Sequence, residues 1–388
     1  MCERPFLKAA RNNSSHDFSG FLAPCHDLFE KSDYLVGNLE TPCDPQSSLT
    51  QDMYIFNAPF SFVEAVKDSG INMVTTATNH CMDRGITGLI NTLDVLDKLG
   101  LEHTGTIRSV KDKNYKIIEF DNGERVGIIS YTYGTNIMNN HVRLKEDEMS
   151  LINMLTPYDS GRNWLYDEYS YSLRARLGRA IPDEMRICIN KLLGRSYNFA
   201  YTDTIKKGDI VQSYLDNIKS TITEVKQKAD IVIICPHYGG QFNTEPGEYV
   251  ETFTDFFEEC GANVVIGNHP HVVQRFEMRK TGMIVAYSLG NVSMSLSTSY
   301  ILLDNKPDYS IMFHLYIDAG EVVKKTFSIM VEKENSKKFV SLYPLTVLYD
   351  SVDKSQRNQI KENANQIYNR FLGTNCENFE IEEEYLIH

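Results

Sequence analysis

No stretch of this 388-residue chain approaches the ~20 consecutive apolar residues that a helix needs to cross a bilayer. The opening residues, Met1-Cys2-Glu3-Arg4-Pro5, carry no apolar run of the kind found in a secretory leader. Positive charge is scarce: Lys and Arg number 39 against 52 Asp and Glu, which leaves −13 at pH 7. A surface of that sign repels phosphate backbones and argues against nucleic acid as a general partner. The eight cysteines form no Cys-x-x-Cys pair, which argues against both a disulfide framework and thiolate-held zinc. Cys235 and Cys260 read as small core residues. There is no G-x-S-x-G elbow, Walker loop or G-x-G-x-x-G, so serine-hydrolase and nucleotide-binding chemistry lack local support. As written, the chain fits a reducing, cytoplasmic compartment.

What is present belongs to a folded protein: hydrophobic residues make up 42%, too many for a disordered chain. The runs 33–38, 71–76, 230–237, 262–267 and 283–291 read as strands. Pro59 to Gly70, Ile86 to Gly100, Ile210 to about Lys228 and Pro246 to Gly261 read as helices, from apolar residues recurring at helical spacing and glycines that end three of them. Residues 115–120 and 125–132 flank an Asp-Asn-Gly turn and predict a hairpin. Segments near 310–317 and 322–331 suggest an antiparallel pair, and a polar helix from Asp353 leads into an acidic tail. Helices alternating with strand runs indicate an α/β protein with a largely parallel sheet. Ser69-Gly-Ile-Asn-Met-Val leads to Asn79-His80, and Cys260-Gly-Ala-Asn-Val-Val leads to Asn268-His269. That echo fits a sheet system built from two similar halves. Residues 137–209 break the pattern; they are polar, hold the single tryptophan, Trp164, and read as a partly helical insertion.

Four of the ten histidines stand apart. His80 follows Thr78-Asn79 just past a strand, His237 ends the run IVIICP, and His269 and His271 form His-Pro-His beyond VVIG. Ligands of open α/β sheets bind outside the carboxyl ends of the strands, so these residues converge on one edge. Imidazoles with carboxylate and amide oxygens suit zinc, manganese or iron. Glu40, at a fourth strand end, offers a carboxylate able to bridge two ions, and Asn79 offers an amide oxygen. The central proline of His-Pro-His predicts a rigid, extended segment. Asp83 reads either as a carboxylate orienting His80 or as the cap of the helix around Ile86. Ser288-Leu-Gly-Asn291 reads as a loop positioned beside the site. Arg174, Arg176 and Arg179 make the insertion locally basic, either as a contact for a polyanion or as a solvated helix face.

The stretches YLVGNLETP (34–42), ATNHCMDRG (77–85), PHYGGQF (236–242), GNHPHVVQ (267–274) and AYSLGN (286–291) resemble, in order, the motifs of the bacterial poly-γ-glutamate capsule synthesis protein family, CapA. The similarity covers roughly residues 20–295. It implies a calcineurin-like metallophosphoesterase architecture, a four-layer α/β/β/α sandwich with two metal ions at the strand ends. By position it implies Glu40 as the bridging acid, Asn79, His237, His269 and His271 as metal ligands, and His80 as the group assisting the leaving oxygen. Three departures stand out. The family's first strand, ending in Gly-Asp, has no counterpart before residue 33, and Asp17 and Asp27 are poor substitutes. Gln241 stands where the family has a carboxylate, and Asn268 where many members have histidine. One metal position is therefore expected to be weak or empty.

These observations predict a CapA-like domain over 1–335 with its insertion at 137–209, and a helical appendage with an acidic tail over 336–388. The function expected is a hydrolase using one or two divalent ions on a phosphoester or an anionic polymer, alongside capsule synthesis proteins. The alternative is a non-catalytic polymer-binding or scaffold protein. Relatives often carry an N-terminal anchor, so a missing leader would move the protein to the cell surface.

Overall fold

Every one of the seven residues in the run Ile231–His237 is buried, the mark of a strand covered on both faces. The computed structural model describes residues 1–51, 54–157, 185, 203–206, 208–298, 301 and 303–388. In chain order come α1 (Arg4–Ala9), β1 (Arg11–Asn12), β2 (Ser15–His16), α2 (His26–Phe29), β3 (Val36–Asn38), α3 (Phe60–Asp68), β4 (Met73–Thr75), α4 (Gly85–Lys98) and β5 (Glu102–Thr104). Then follow β6 (Lys116–Glu119), β7 (Arg125–Thr132), the single turn α5 (Ile137–Asn140), α6 (Gln212–Lys226), β8 (Ile231–His237), α7 (Glu248–Glu259), β9 (Val264–Ile266), β10 (Phe276–Met278) and β11 (Ile284–Ala286). The chain closes with β12 (Tyr309–Asp318), β13 (Glu321–Glu334), β14 (Val340–Pro344), α8 (Leu345–Ser351), α9 (Lys354–Leu372) and β15 (Tyr385–Leu386).

The result is a mixed α/β protein. One sheet is the parallel set β3-β4-β5. A second runs β10-β11-β9-β8-β7-β6, parallel from β11 to β7 with antiparallel strands at both edges. A third, antiparallel, runs β12-β13-β14, with β15 also on β13. The predicted hairpin is β6–β7. No strand longer than two residues precedes Val36 among the described residues, and β3 lies at the edge of its sheet.

Helix α3 starts where the sequence says, because Pro59 supplies the extended N-cap and Phe62, Val63 and Val66 share the buried face. It ends beside Gly70, whose φ of 100° only glycine adopts cheaply. Helix α7 begins later than Pro246, with Gly247 as its N-cap. Its Val250, Phe253 and Phe257 pack with Ile218, Ile222 and Val225 of α6 against Val232, Ile234 and Val265 of the large sheet. From the other face, Ile231, Ile233 and Val264 meet Met73 of β4 and Phe313 and Leu315 of β12.

The segment beyond residue 335 is more closely built in than an appendage. Strand β14 pairs with β13, and Ile360, Ala364, Ile367 and Phe371 of α9 join a core that includes Val273 and Ala286. The acidic tail is anchored as well. Phe379, Tyr385 and Ile387 are buried in that core, while Glu383 meets Lys31 and Glu380 meets Lys361. Exposed pairs of this kind add little; the aromatic burial holds the tail. Of the insertion, residues 137–157, 185, 203–206 and 208–209 are described, and they include α5 and a short turn at Met149–Leu151. Trp164, Arg174, Arg176 and Arg179 lie outside the described residues.

Glu332 of β13 is fully buried, accepts the Met294 N–H at 3.0 Å through one oxygen and, among the described residues, has no hydrogen-bond partner for the other. Burial, aided by nearby Glu3 and Asp308, pushes this carboxyl well above its usual range despite the Met294 amide. A carboxyl whose folded pKa is raised favours folding fully below about pH 4.5, and that contribution is lost as pH rises toward the folded value. Glu332→Gln should therefore melt about 2–4 °C above the parent at pH 8. The gain should shrink toward zero at pH 4. Melting curves at the two pH values check this, and an equal shift at both would refute the assignment.

Candidate metal centre

Each candidate ligand sits just past the end of a parallel strand. Glu40 follows β3 and Asn79 follows β4, both in the small sheet. His237 is the last residue of β8, and His269 and His271 follow β9, both in the large sheet. The two sheets thus contribute to one cluster, and its members are buried: His237 is 1% exposed and Glu40 6%.

His237 Nε2 is the hub. It lies 2.9 Å from Asn79 Oδ1, 3.2 Å from His269 Nδ1 and 3.3 Å from Glu40 Oε1. One proton at most can sit on that nitrogen, and Glu40 Oε1 is left buried with no hydrogen bond among the described residues. A buried carboxylate oxygen is rarely left so. Bonds of about 2.0–2.2 Å to a four- or six-coordinate ion place neighbouring donors about 3–3.5 Å apart. The observed separations fit a divalent cation among these four donors. Among the described residues, Glu40, His237 and His269 form the acid–histidine group whose donor atoms lie within 4.8 Å of one another.

The electrostatics suit that role. Burial alone would raise the Glu40 pKa, yet His237, His271 and His80 outweigh it and hold the carboxyl well below the usual range. Burial, reinforced by His237 and His271, pushes His269 well below the ordinary imidazole value, so it stays a neutral donor. His271 is lowered as well, mainly by burial.

A second position is poorer. His271 Nε2 lies 3.8 Å from Glu40 Oε1 and 3.5 Å from Gln241 Nε2. Asn291 fixes its tautomer: His271 Nδ1–H donates to Asn291 Oδ1 at 2.9 Å, while Asn291 Nδ2 donates to the His271 carbonyl at 2.9 Å. No further carboxylate joins His271 and Glu40 among the described residues. Asp17 and Asp27 are exposed, and Asp17 accepts from Ser19 instead.

The His-Pro-His segment is curled where the sequence predicted an extended one. His269 has φ 98° and His271 φ 60°. Proline fixes its own φ and biases its predecessor toward extended backbone, yet His269 takes a left-handed φ, and His271, which follows the proline, is not held by it. The imidazoles end up beside aromatic rings: Tyr133 against His269 at 4.8 Å and Phe242 against His271 at 5.9 Å between centroids.

His80 lies among these residues but pairs elsewhere. Its Nδ1–H donates to Asp83 Oδ2 at 2.6 Å, and the Phe56 ring packs on it at 4.3 Å. Burial lowers its pKa, but the Asp83 carboxylate outweighs that and raises it overall. Asp83 does not cap α4: the N-cap residue is Arg84, with no side-chain bond. Asp203, which the sequence did not single out, accepts the Gly240 N–H at 2.8 Å and bonds Asn243, holding the loop after His237. It is a lone acid near the end of the insertion, and no periodicity announces it.

A profile of the family described as "Bacterial capsule synthesis protein PGA_cap" matches residues 1–295. "Capsule biosynthesis protein CapA" of Bacillus anthracis is 23% identical over 329 residues, 84% of this chain and 64% of that protein. "PGA biosynthesis protein CapA" of Bacillus subtilis (strain 168) is 23% identical over 268 residues, 68% of this chain and 54% of that protein. The matched chain therefore spans less than two thirds of either relative. A hypothetical protein of known structure from Thermus thermophilus aligns with a TM-score of 0.37 and 11% identity, covering 84% of this chain and 95% of that one.

Proposed function

Because the chain belongs to the bacterial capsule synthesis protein family PGA_cap, we propose that it is a divalent-metal-dependent hydrolase serving the synthesis of a capsule polymer. Its substrate is a phosphoester or a bond of an anionic polymer such as poly-γ-glutamate, handled alongside other capsule synthesis proteins. The architecture consistent with this reading is the metallophosphatase four-layer sandwich, with 1–335 as its body and 137–209 as an insertion. The observation that carries the reading is the convergence of Asn79, His237, His269 and the unpartnered Glu40 Oε1 on one buried point.

Glu40, Asn79, His237 and His269 would hold manganese, zinc or iron, and His271 with Glu40 would border a weaker second position. Held by these residues, a divalent ion would supply Lewis-acid activation of water and offset developing negative charge. His80 contributes separately. Asp83 fixes its Nδ1, which leaves Nε2 to give a proton to the leaving oxygen. The rings of Phe56, Tyr133 and Phe242 pack against His80, His269 and His271 in turn.

The test is to strip the purified protein with chelator and reload it with manganese or zinc. Metal content and turnover of p-nitrophenyl phosphate and of poly-γ-glutamate are then measured. About one ion per chain and metal-dependent turnover are expected. Bound metal without turnover on either substrate would instead favour a polymer-binding scaffold, which the thin donor set at the second position also suits. Polymer binding would then survive His80→Ala.

A further inference from the structure

The loop after β7 reaches into the His80–Asp83 pair, and the geometry points to Asn140 as the residue that positions it. This rests on the reading of His80 as the proton donor. The Asp83 side chain is fully buried. Its Oδ2 takes two donors, His80 Nδ1–H at 2.6 Å and the Phe56 N–H at 2.7 Å. Its Oδ1 takes Asn140 Nδ2 at 3.3 Å.

The Asn140 amide is itself fixed at both ends. Nδ2 also donates to the Thr135 carbonyl at 2.7 Å, and Oδ1 accepts the Val142 N–H at 2.9 Å. The turn around it is tightly specified. Asn136 and His141, on either side of α5, both hold left-handed backbone with φ 55°, a conformation asparagine tolerates better than most residues. Asn136 Nδ2 donates to the Tyr54 carbonyl at 3.0 Å and lies 3.5 Å from His80 Nδ1. Ile137 is buried in the core that also holds Met82 and Val74. The loop is thus pinned to the segment carrying His80, and its amide donor faces the otherwise unengaged oxygen of Asp83.

A carboxylate engaged through both oxygens cannot turn without breaking a bond. Without Asn140, Oδ1 is left buried with no donor, and rotation of Asp83 relieves it at the expense of the short bond to His80. The imidazole then loses both its tautomer and its aim. Asn140 does not touch the reacting atoms; it acts through Asp83.

Asn140→Asp removes the donor to Asp83. The new carboxylate still accepts the Val142 N–H but also gives up the bond to the Thr135 carbonyl. Asn140→Ser serves as a second variant should the first fold poorly. Both are compared with the parent as manganese-loaded, full-length protein on p-nitrophenyl phosphate and phenyl phosphate. A misaimed acid matters most where the leaving oxygen is strongly basic. The expected result is a kcat about 10–100-fold lower on phenyl phosphate and less than about threefold lower on p-nitrophenyl phosphate. KM and metal content should be unchanged.

The second readout does not need turnover. The short His80–Asp83 bond should give a downfield proton resonance, assigned by its loss in His80→Gln, and this should shift or vanish in Asn140→Asp. An unchanged resonance overturns the proposal, and so does an equal loss on both substrates with falling metal content. Should the parent hydrolyse neither ester, the hydrolase reading fails on that arm, and the resonance alone decides the role of Asn140.

Discussion

Replacing His237 with alanine should leave the purified chain with less than about a tenth of a metal ion, against about one in the parent. No other position in the cluster touches as many donors: its Nε2 lies within 3.3 Å of Asn79, His269 and Glu40 at once. The variant keeps the Glu40 carboxylate but loses the group that joins the ligands of the small sheet to those of the large one. An ion present at a hundred times its dissociation constant stabilises a folded chain by about 2.7 kcal/mol. That increment, read as a rise in melting temperature on adding manganese, should vanish with His237. If the variant still binds one ion with undiminished thermal shift, the donor set is wrong and the hydrolase reading loses its basis.

Gly267→Ala should be the most damaging single methyl group in the site's neighbourhood. A Cβ at Gly267 would fall 2.0 Å from the Tyr287 carbonyl oxygen and 2.9 Å from the Tyr238 ring. The carbonyl cannot step aside, because Tyr287 directly follows β11, which is paired to β9 through Ile266 and Ala286. The Gly267 N–H also donates to the Ala286 carbonyl at 2.8 Å. The added carbon must therefore prise β9 from β11 at the base of the loop bearing His269 and His271. A cost of about 4 kcal/mol or more is expected, in the range reserved for steric failure of a core. Gly282→Ala is the control. Its φ of 90° strains a side chain, but no atom lies within 4 Å of the new carbon, so a loss of only about 1 kcal/mol is expected. Denaturant melts of the two variants check this, and similar midpoints would refute the steric account.

The parts of this protein legible in its sequence are those set by short-range pattern. The run from Asp230 to His237 could only be a buried strand, and the spacing of Phe62, Val63 and Val66 could only suit a helix face. The histidines were findable because each lies at or shortly past the end of an apolar strand run. What escaped depends on distant partners. Tyr385 and Leu386 become a strand only because Thr326 and Phe327 offer an edge, and the surrounding sequence reads as a polar tail. The curl of His-Pro-His runs against the bias of its proline, which favours extended backbone in the residue before it, whereas His269 has φ 98°. Asp203 and Asn140 are single polar residues, Asn140 at the end of the one-turn α5, and their importance lies wholly in what they reach.

The centre draws Glu40 and Asn79 from one parallel sheet and His237 and His269 from another. An ion held there would be a rivet through two plates, joining segments far apart in the chain much as a cross-link does. The sheets already share the apolar seam around Met73, Ile231 and Val264. With the rivet in, they should open together, as one cooperative unit. With it out, the seam would have to hold against a buried cluster of nitrogen and oxygen lone pairs aimed at one another, and the end that bears the cluster would be the first to part.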